Sequence, residues 1–167
     1  MRSNLTVIVL AAGGGSRMRS KTMKVLHAIG GRSMIGHVLT AVDAMAPDCV
    51  VAVVGHQRDQ VGPHITELLP EAVLAVQEDQ QGTGDAVRVA VEALNNSGRT
   101  HAMQGTVVVA YGDTPLLTGE SLRAFAAEHE AAQCAVSILS GIVARPFGYG
   151  RVVRDEDGDV LAIVEEK

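Results

Sequence analysis

The chain has 167 residues, a net charge of −5 and 47% hydrophobic residues, with two tyrosines, two phenylalanines and no tryptophan. This length suits one domain with an aliphatic core, and so few aromatic rings exclude the base stacking by which proteins bind single-stranded nucleic acid. The longest apolar run, residues 7–12, is too short to span a membrane. Cys49 and Cys134 lie in apolar segments and are predicted to be buried, reduced thiols. We therefore expect a cytoplasmic protein with neither nucleic acid nor membrane as a partner.

Short apolar runs alternate with helical segments along the chain. Helices are predicted over residues 33–46, capped by Ser33, over residues 57–69, shortened by Pro63 and Pro70, and from Thr83 and Thr118 onward. Strands are predicted at residues 5–12, 49–54, 73–76, 106–110 and 134–142. Because these runs are nearly continuous, the strands should be parallel and covered on both faces. The pattern predicts an α/β fold, a Rossmann-like, mostly parallel twisted sheet with helices on both faces.

The pattern changes after about Tyr149. The segment GRVVRDEDGDVLAIVEEK alternates apolar and polar residues and has a turn signal at Asp157-Gly158. This combination predicts an antiparallel hairpin at the C-terminal end of the domain.

The charge is distributed unevenly along the chain. Residues 1–42 contain six basic and no acidic side chains, whereas residues 43–167 contain eight basic and nineteen acidic ones. A positive segment on an acidic body favours a compact anionic ligand over a long polyanion. A solvated basic surface is the alternative interpretation.

The loop after the first strand, within LAAGGGSRM, is the first candidate site. Its three glycines let the backbone approach a ligand closely and direct N–H groups at phosphate oxygens; Arg17 follows at once, and Lys24 comes seven residues later. A Walker loop is excluded because no Gly-Lys-Ser/Thr follows, and a Rossmann fingerprint because Met18 stands where a glycine is needed. Phosphate binding is our hypothesis, and an ordinary turn with a solvated arginine is the alternative.

The stretch YGDTPLL places Asp113 just past a buried strand, after Gly112. One carboxylate that faces bound phosphates is what Mg²⁺ usually receives from a protein, because this ion keeps waters and substrate oxygens for most of its shell. The alternative is an Asx turn in which Asp113 bonds only to nearby backbone.

Two further motifs suit a nucleoside and a sugar. In QEDQQGTGDA, Gln77 ends a strand, and its amide offers a donor and an acceptor to the edge of a base; the alternative is a plain helix start capped by Thr83. Gly150, within GYG, and Glu165 could bind sugar hydroxyls, or could be only a bend and a surface acid. The six histidines show no metal-ligand spacing and receive no role.

In this order the motifs resemble the nucleotidyltransferase domain of the bifunctional N-acetylglucosamine-1-phosphate uridylyltransferase and glucosamine-1-phosphate acetyltransferase. The resemblance covers essentially the whole chain. The matching stretches are LAAGGGSRM, KVLH, GRSMIGHVL, QGTG, YGDTPLL, FGYGR and AIVEEK.

The resemblance implies roles for particular residues. Arg17 and Lys24 would be catalytic, neutralising phosphates, and Asp113 would be a ligand of Mg²⁺. Residues implied in nucleotide binding are Leu10, Ala11, Ala12, Gly13, Lys24, Gln77, Gly82 and Thr83, of which the last three would read the uracil. Residues implied in binding the sugar phosphate are Tyr111, Gly112, Gly150 and Glu165.

The implied reaction is the Mg²⁺-dependent transfer of uridylyl from UTP to N-acetylglucosamine-1-phosphate, which gives UDP-N-acetylglucosamine for cell-wall peptidoglycan and releases pyrophosphate. Two alternatives stay open. One is a related guanylyl-, cytidylyl- or thymidylyltransferase, and the other is a nucleotide-binding or regulatory module without turnover.

The chain departs from the family pattern at three places. Met23 stands where proline is usual, and Asp85 stands where histidine is usual, which adds a negative charge near the nucleotide. The family's domain also continues beyond the length of this chain and is followed by an acetyltransferase β-helix through which the family oligomerises. We therefore expect residues 1–167 to be a MobA-like NTP transferase domain that is incomplete at its C-terminus and lacks the β-helix.

Overall fold

The computed structural model describes residues 4–15 and 18–166. The described residues divide into two compact units, one up to Gln133 and one from Cys134 onward. In chain order the strands are β1 (Leu5–Leu10), β2 (Ala28–Ile29), β3 (Arg32–Ser33), β4 (Cys49–Val54), β5 (Val73–Val76), β6 (Thr106–Tyr111), β7 (Arg151–Arg154) and β8 (Val160–Val164). The α-helices are α1 (Met34–Asp43), α2 (Arg58–Leu68), α3 (Thr83–Asn96) and α4 (Gly119–Ala132).

The first unit is built on a parallel sheet with the strand order β5-β4-β1-β6. Each step between parallel strands passes through a helix, as the α/β pattern of the sequence predicts. In the central strand, Val7 lies opposite Val50 of β4 and Val108 of β6. The predicted fold class is confirmed, and all carboxyl ends of the sheet meet at one edge.

Helices cover both faces of this sheet, which explains why its strands are continuously apolar. On one face, Val7, Val9 and Ala52 share a buried cluster with residues of α1, α2 and α4. On the other face, Ile8 and Val53 pack with residues of α3. No helix in the described part of the chain is long and apolar enough to cross a membrane.

Helix ends follow local sequence signals. Ser33 caps α1, its side chain accepting a hydrogen bond from the N–H of Gly36 at 3.0 Å, and Thr118 caps α4 through the N–H of Ser121 at 3.1 Å. Pro63 lies inside α2 and does not interrupt it. The predicted positions of all four helices are confirmed to within a few residues.

The second unit contains the predicted hairpin. Strands β7 and β8 pair antiparallel, and Gly158 between them has a φ of +92°, which favours glycine.

Two predictions for this unit are wrong. Residues 134–142 form no strand, and their apolar side chains are largely exposed, Ile142 completely. The reason is that hydrophobicity alone does not make a strand without a neighbouring strand to pair with. Cys134 is consequently exposed, whereas Cys49 is buried as predicted, and neither forms a disulfide.

Thr6 is a polar residue in the core of the sheet. It is fully buried, and its Oγ1 donates a hydrogen bond of 2.5 Å to the carbonyl of Ala102. We expect Thr6→Val to lower the free energy of unfolding by about 1–3 kcal/mol, because the substitution leaves that carbonyl without its partner. Urea unfolding measures the change. Thr66→Val, at an exposed threonine that bonds only within its own helix, is the matched control and should change stability by less than about 0.5 kcal/mol.

Candidate functional site

A cavity of about 320 Å³ opens at the carboxyl ends of β1, β5 and β6, beside the start of α3. This edge is where open α/β sheets bind ligands. The predicted site residues that line the cavity are Leu10, Ala12, Gly13, Lys24, Gln77, Gly82, Thr83, Tyr111 and Asp113. A larger hollow of about 530 Å³ lies at the opposite ends of the strands, near Asn4 and Asp48, and contains none of the predicted residues.

The floor of the cavity is held by close backbone contacts between strand ends. The N–H of Ala11 donates to Val53 O at 2.8 Å, and that of Gly112 donates to Leu10 O at 2.9 Å. A Cβ on Gly112 would lie 3.0 Å from Leu10 O, and one on Gly55 would lie 2.7 Å from Ala12 O. Ala11 and Gly112 are buried and support the cavity rather than line it.

Lys24 and Asp113, which both line the cavity, form an ion pair. Each side chain is about a third exposed, 33% and 32%, so both remain accessible to a ligand. Gly15 allows this arrangement, because its φ is +62° and a Cβ there would lie 2.6 Å from the Cβ of Lys24. The sequence predicts separate roles for the two charges and does not predict that they contact each other.

The glycine loop, which contains Gly13, Gly14 and Gly15, borders open space at its first two glycines. A Cβ on Gly13 or Gly14 would meet nothing within 4 Å, so the loop leaves room for a bound group. Arg17, the other predicted catalytic residue, lies outside the described residues.

Gln77 is buried, 3% exposed, at the end of β5. Its Nε2 donates to Asp85 Oδ2 at 2.7 Å and to Gly82 O at 3.2 Å. The hydrogen bond from Gln77, and next that from Arg88, hold the pKa of Asp85 below its usual value. Asp85 also forms a 2.6 Å ion pair with Arg88, which is shared with Glu92, so the negative charge of Asp85 is partly offset within α3.

Thr83 does not cap α3, which was the alternative interpretation of its motif. The N-cap is Gly82, and Thr83 is the first helical residue. Gly82 has φ +100° and ψ −177°, which is essentially a glycine-only conformation.

Gln80 is a cavity residue that the sequence argument missed. Its Nε2 donates a 2.6 Å hydrogen bond to the carbonyl of Ala12 and so joins the loop before α3 to the glycine loop. In the sequence, Gln80 is noticeable only as a second amide in the motif that contains Gln77. That does not predict its hydrogen bond to Ala12, which is 68 residues away in the chain.

In the second unit, Gly150 and Glu165 are neighbours across the hairpin. A Cβ on Gly150 would lie 3.5 Å from the carboxylate of Glu165, and both residues are exposed. Glu166, which the sequence argument did not select, accepts a hydrogen bond from the N–H of Gly148 and lies 3.7 Å from Arg151.

Residues 7–157 match the family model described as the MobA-like NTP transferase domain. The chain belongs to this family. The NTP transferase chain is 54% identical to the bifunctional protein GlmU of Thermobifida fusca over 95% of its own length and 32% of the relative's. It is 53% identical to GlmU of Streptomyces coelicolor over 96% of its length and 33% of the relative's. The chain thus spans about a third of the length of the curated relatives it matches.

Solved structures confirm the nucleotidyltransferase fold of this domain. HddC from Yersinia pseudotuberculosis, complexed with GMP-PN, aligns with a TM-score of 0.70 at 20% identity, covering 96% of this chain and 69% of that one. Rv0371c from Mycobacterium tuberculosis aligns with a TM-score of 0.62 at 24% identity, covering 77% and 62%. At such identities the likeness concerns the fold alone.

Proposed function

We propose that the chain binds UTP and transfers its uridylyl group to N-acetylglucosamine-1-phosphate, giving UDP-N-acetylglucosamine and pyrophosphate. The observation that carries the proposal is the cavity that Gln77 lines together with the ion pair of Lys24 and Asp113. The identity to GlmU relatives supports the choice of substrates. A cytoplasmic location, a role in peptidoglycan synthesis and oligomerisation through the additional region of the longer relatives are parts of the same proposal.

The proposed reaction needs no covalent nucleophile from the protein. A phosphate oxygen of the sugar phosphate bonds to the α-phosphorus of UTP, and the bond from that phosphorus to the pyrophosphate oxygen breaks. The chain's contribution is to align two anions and offset their repulsion by fixed positive charge. Lys24 supplies such a charge at the cavity, and we propose that Arg17 supplies a second.

The residues of the cavity fit a divalent cation, for which we propose Mg²⁺. The carboxylate of Asp113 is partly exposed and already has a cationic partner in Lys24. The described residues contain no cluster of three or more His, Cys, Asp or Glu that could hold a metal alone. One carboxylate suits Mg²⁺, which takes its other ligands from water and substrate. When bound, the ion would stabilise negative charge on the phosphate oxygens.

Gln77 and Thr83 would bind the uracil, with Gly82 providing the close approach, and Tyr111 would lie beside the reacting groups. Gly150 and Glu165 would hold the amino sugar through hydrogen bonds from its hydroxyls to the carboxylate.

A binding and turnover experiment tests the proposal. UTP, CTP, GTP and dTTP are titrated into the chain with Mg²⁺, and pyrophosphate is measured after addition of N-acetylglucosamine-1-phosphate, with glucose-1-phosphate as the control acceptor. We expect UTP to bind most tightly and pyrophosphate to appear with the acetylated sugar only. Tighter binding of another nucleotide would assign a different nucleotidyltransferase activity, and UTP binding without pyrophosphate would indicate a nucleotide-binding module.

A further inference from the structure

Asp85 lies next to the candidate base-binding residue without lining the cavity itself. It is on the first turn of α3, and its side chain is 13% exposed. Its two carboxylate oxygens have different partners, since Oδ2 accepts from Gln77 Nε2 at 2.7 Å and Oδ1 accepts from Arg88 Nη2 at 2.6 Å. The Arg88 guanidinium is in turn bonded to Glu92 at 2.5 Å. A chain of charged groups along α3 therefore ends on the amide of Gln77.

These contacts fix which way the Gln77 amide faces. A carboxylate and a backbone carbonyl are acceptors only, so the group that faces both Asp85 and Gly82 O must be the NH₂. The bond to Asp85 is the shorter of the two and has an ionised acceptor, which makes it the stronger one. Since both NH₂ hydrogens are used in this way, Gln77 can offer a ligand only its carbonyl Oε1.

Gln77 lines the cavity, and Oε1 is the atom of its amide that these contacts leave without a partner. In the described part of the chain no residue donates a hydrogen bond to Gln77 Oε1. His27 Nε2 is the fully buried side-chain atom without a partner that is found there, and Gln77 Oε1 is not another. Oε1 is therefore not fully buried. A ligand group facing Gln77 must therefore be a donor. The imide N3–H of uracil is such a donor, whereas the corresponding N3 of cytosine carries a lone pair.

We infer that Asp85 is a positioning residue for base selection. It holds the amide of Gln77 so that Oε1 accepts a hydrogen bond from an imide N–H and disfavours cytosine, whose N3 carries a lone pair. This inference rests on the proposed function, because it concerns the base bound in the same cavity. The sequence departs from the resembled family at this residue, where histidine is usual. An imidazole can donate or accept, but a carboxylate that stays ionised can only accept, so Asp85 gives Gln77 one orientation.

The test compares the affinities of UTP, CTP and dTTP by isothermal titration calorimetry on the 167-residue chain with Mg²⁺. In Asp85→Asn, the new amide can pair with either end of Gln77, so the amide can turn and donate to cytosine N3. We expect the UTP-to-CTP affinity ratio to fall about tenfold, the effect of one hydrogen bond. The UTP-to-dTTP ratio should stay unchanged, because both bases carry the imide.

Glu92→Gln is the matched control. It removes one negative charge from the same helix and from the same arginine, but it does not touch Gln77, so both ratios should stay as in the unchanged chain. Arg88→Met keeps the carboxylate and removes its second partner. Without that partner on Oδ1 the carboxylate can turn away from Gln77, so the UTP-to-CTP ratio is expected to fall roughly threefold. This variant provides the test if Asp85→Asn does not fold.

The outcomes separate this inference from the proposed function. A preference for UTP that is unchanged in whichever variant folds overturns the role of Asp85 and leaves the proposed function standing. An equal fall in Glu92→Gln overturns it too, because the effect would then be one of helix charge. If the unchanged chain binds no UTP, the proposed function fails, and the inference fails with it.

Discussion

Lys24→Met is expected to slow pyrophosphate release from UTP and N-acetylglucosamine-1-phosphate by about 10²- to 10³-fold, the usual loss when one fixed group that stabilises transition-state charge is removed. Lys24 lies at the cavity next to Asp113, and Gly15 holds it close to the glycine loop. The same substitution should weaken UTP binding by about 10- to 100-fold, since a hydrogen-bonded charge is lost. Calorimetry measures the affinity, and a coupled pyrophosphate assay measures the rate.

The matched control for this prediction is Lys21→Met. Lys21 is in the same basic segment and is exposed, but it does not line the cavity. If the two variants lost affinity equally, the effect would come from the general positive field of residues 1–42, and the specific role of Lys24 would be rejected.

Asp113→Asn should lower turnover with Mg²⁺ but should not weaken UTP binding when no divalent cation is present. With Mg²⁺, turnover is expected to fall about 10²-fold or more, because the amide is a much weaker ligand than the carboxylate and the ion that offsets phosphate charge is held poorly. With EDTA, UTP should bind as well as before or more tightly, because a negative charge is gone and Lys24 loses its competing partner. The ratio of UTP affinities with and without Mg²⁺ is the quantity to measure.

Asp59→Asn is the control, since Asp59 is an exposed acid in the first turn of α2. It should leave that ratio unchanged. An Asp113→Asn variant whose affinity still rises with Mg²⁺ as in the unchanged chain would show that this carboxylate does not hold the ion.

Much of the fold is predictable because its determinants are local. The central strands are continuously apolar, and α1 and α4 begin at a serine and a threonine that cap them in the structure. The segment 134–142 shows the limit of this reasoning. It is as apolar as a core strand, but strand formation depends on a partner that the segment's own sequence does not specify.

The sequence predicts where the candidate site lies, but it does not predict which side chains contact each other there. The rule that parallel strands present their carboxyl ends at one edge places Gln77 and Asp113 on the same side of the sheet, and in the structure both line one cavity together with Lys24. It does not predict that Lys24 pairs with Asp113, which is 89 residues later in the chain, or that Asp85 pairs with Arg88. Both contacts depend on side-chain distances after folding. The roles of Arg17, Gly150 and Glu165 stay predictions.

The backbone contacts beneath the cavity also bear on how this site can change during evolution. A Cβ on Gly55 would lie 2.7 Å from Ala12 O and one on Gly112 would lie 3.0 Å from Leu10 O, both tight contacts with the main chain, whereas Gly13 and Gly14 face open space. Substitutions at the first pair would press on the main chain at the end of β1 and in the loop, but a substitution at Gly13, which lines the cavity, would add a group there without such a contact. The shape of the cavity can therefore change at Gly13 while the buried Gly55 and Gly112 keep the loop in place.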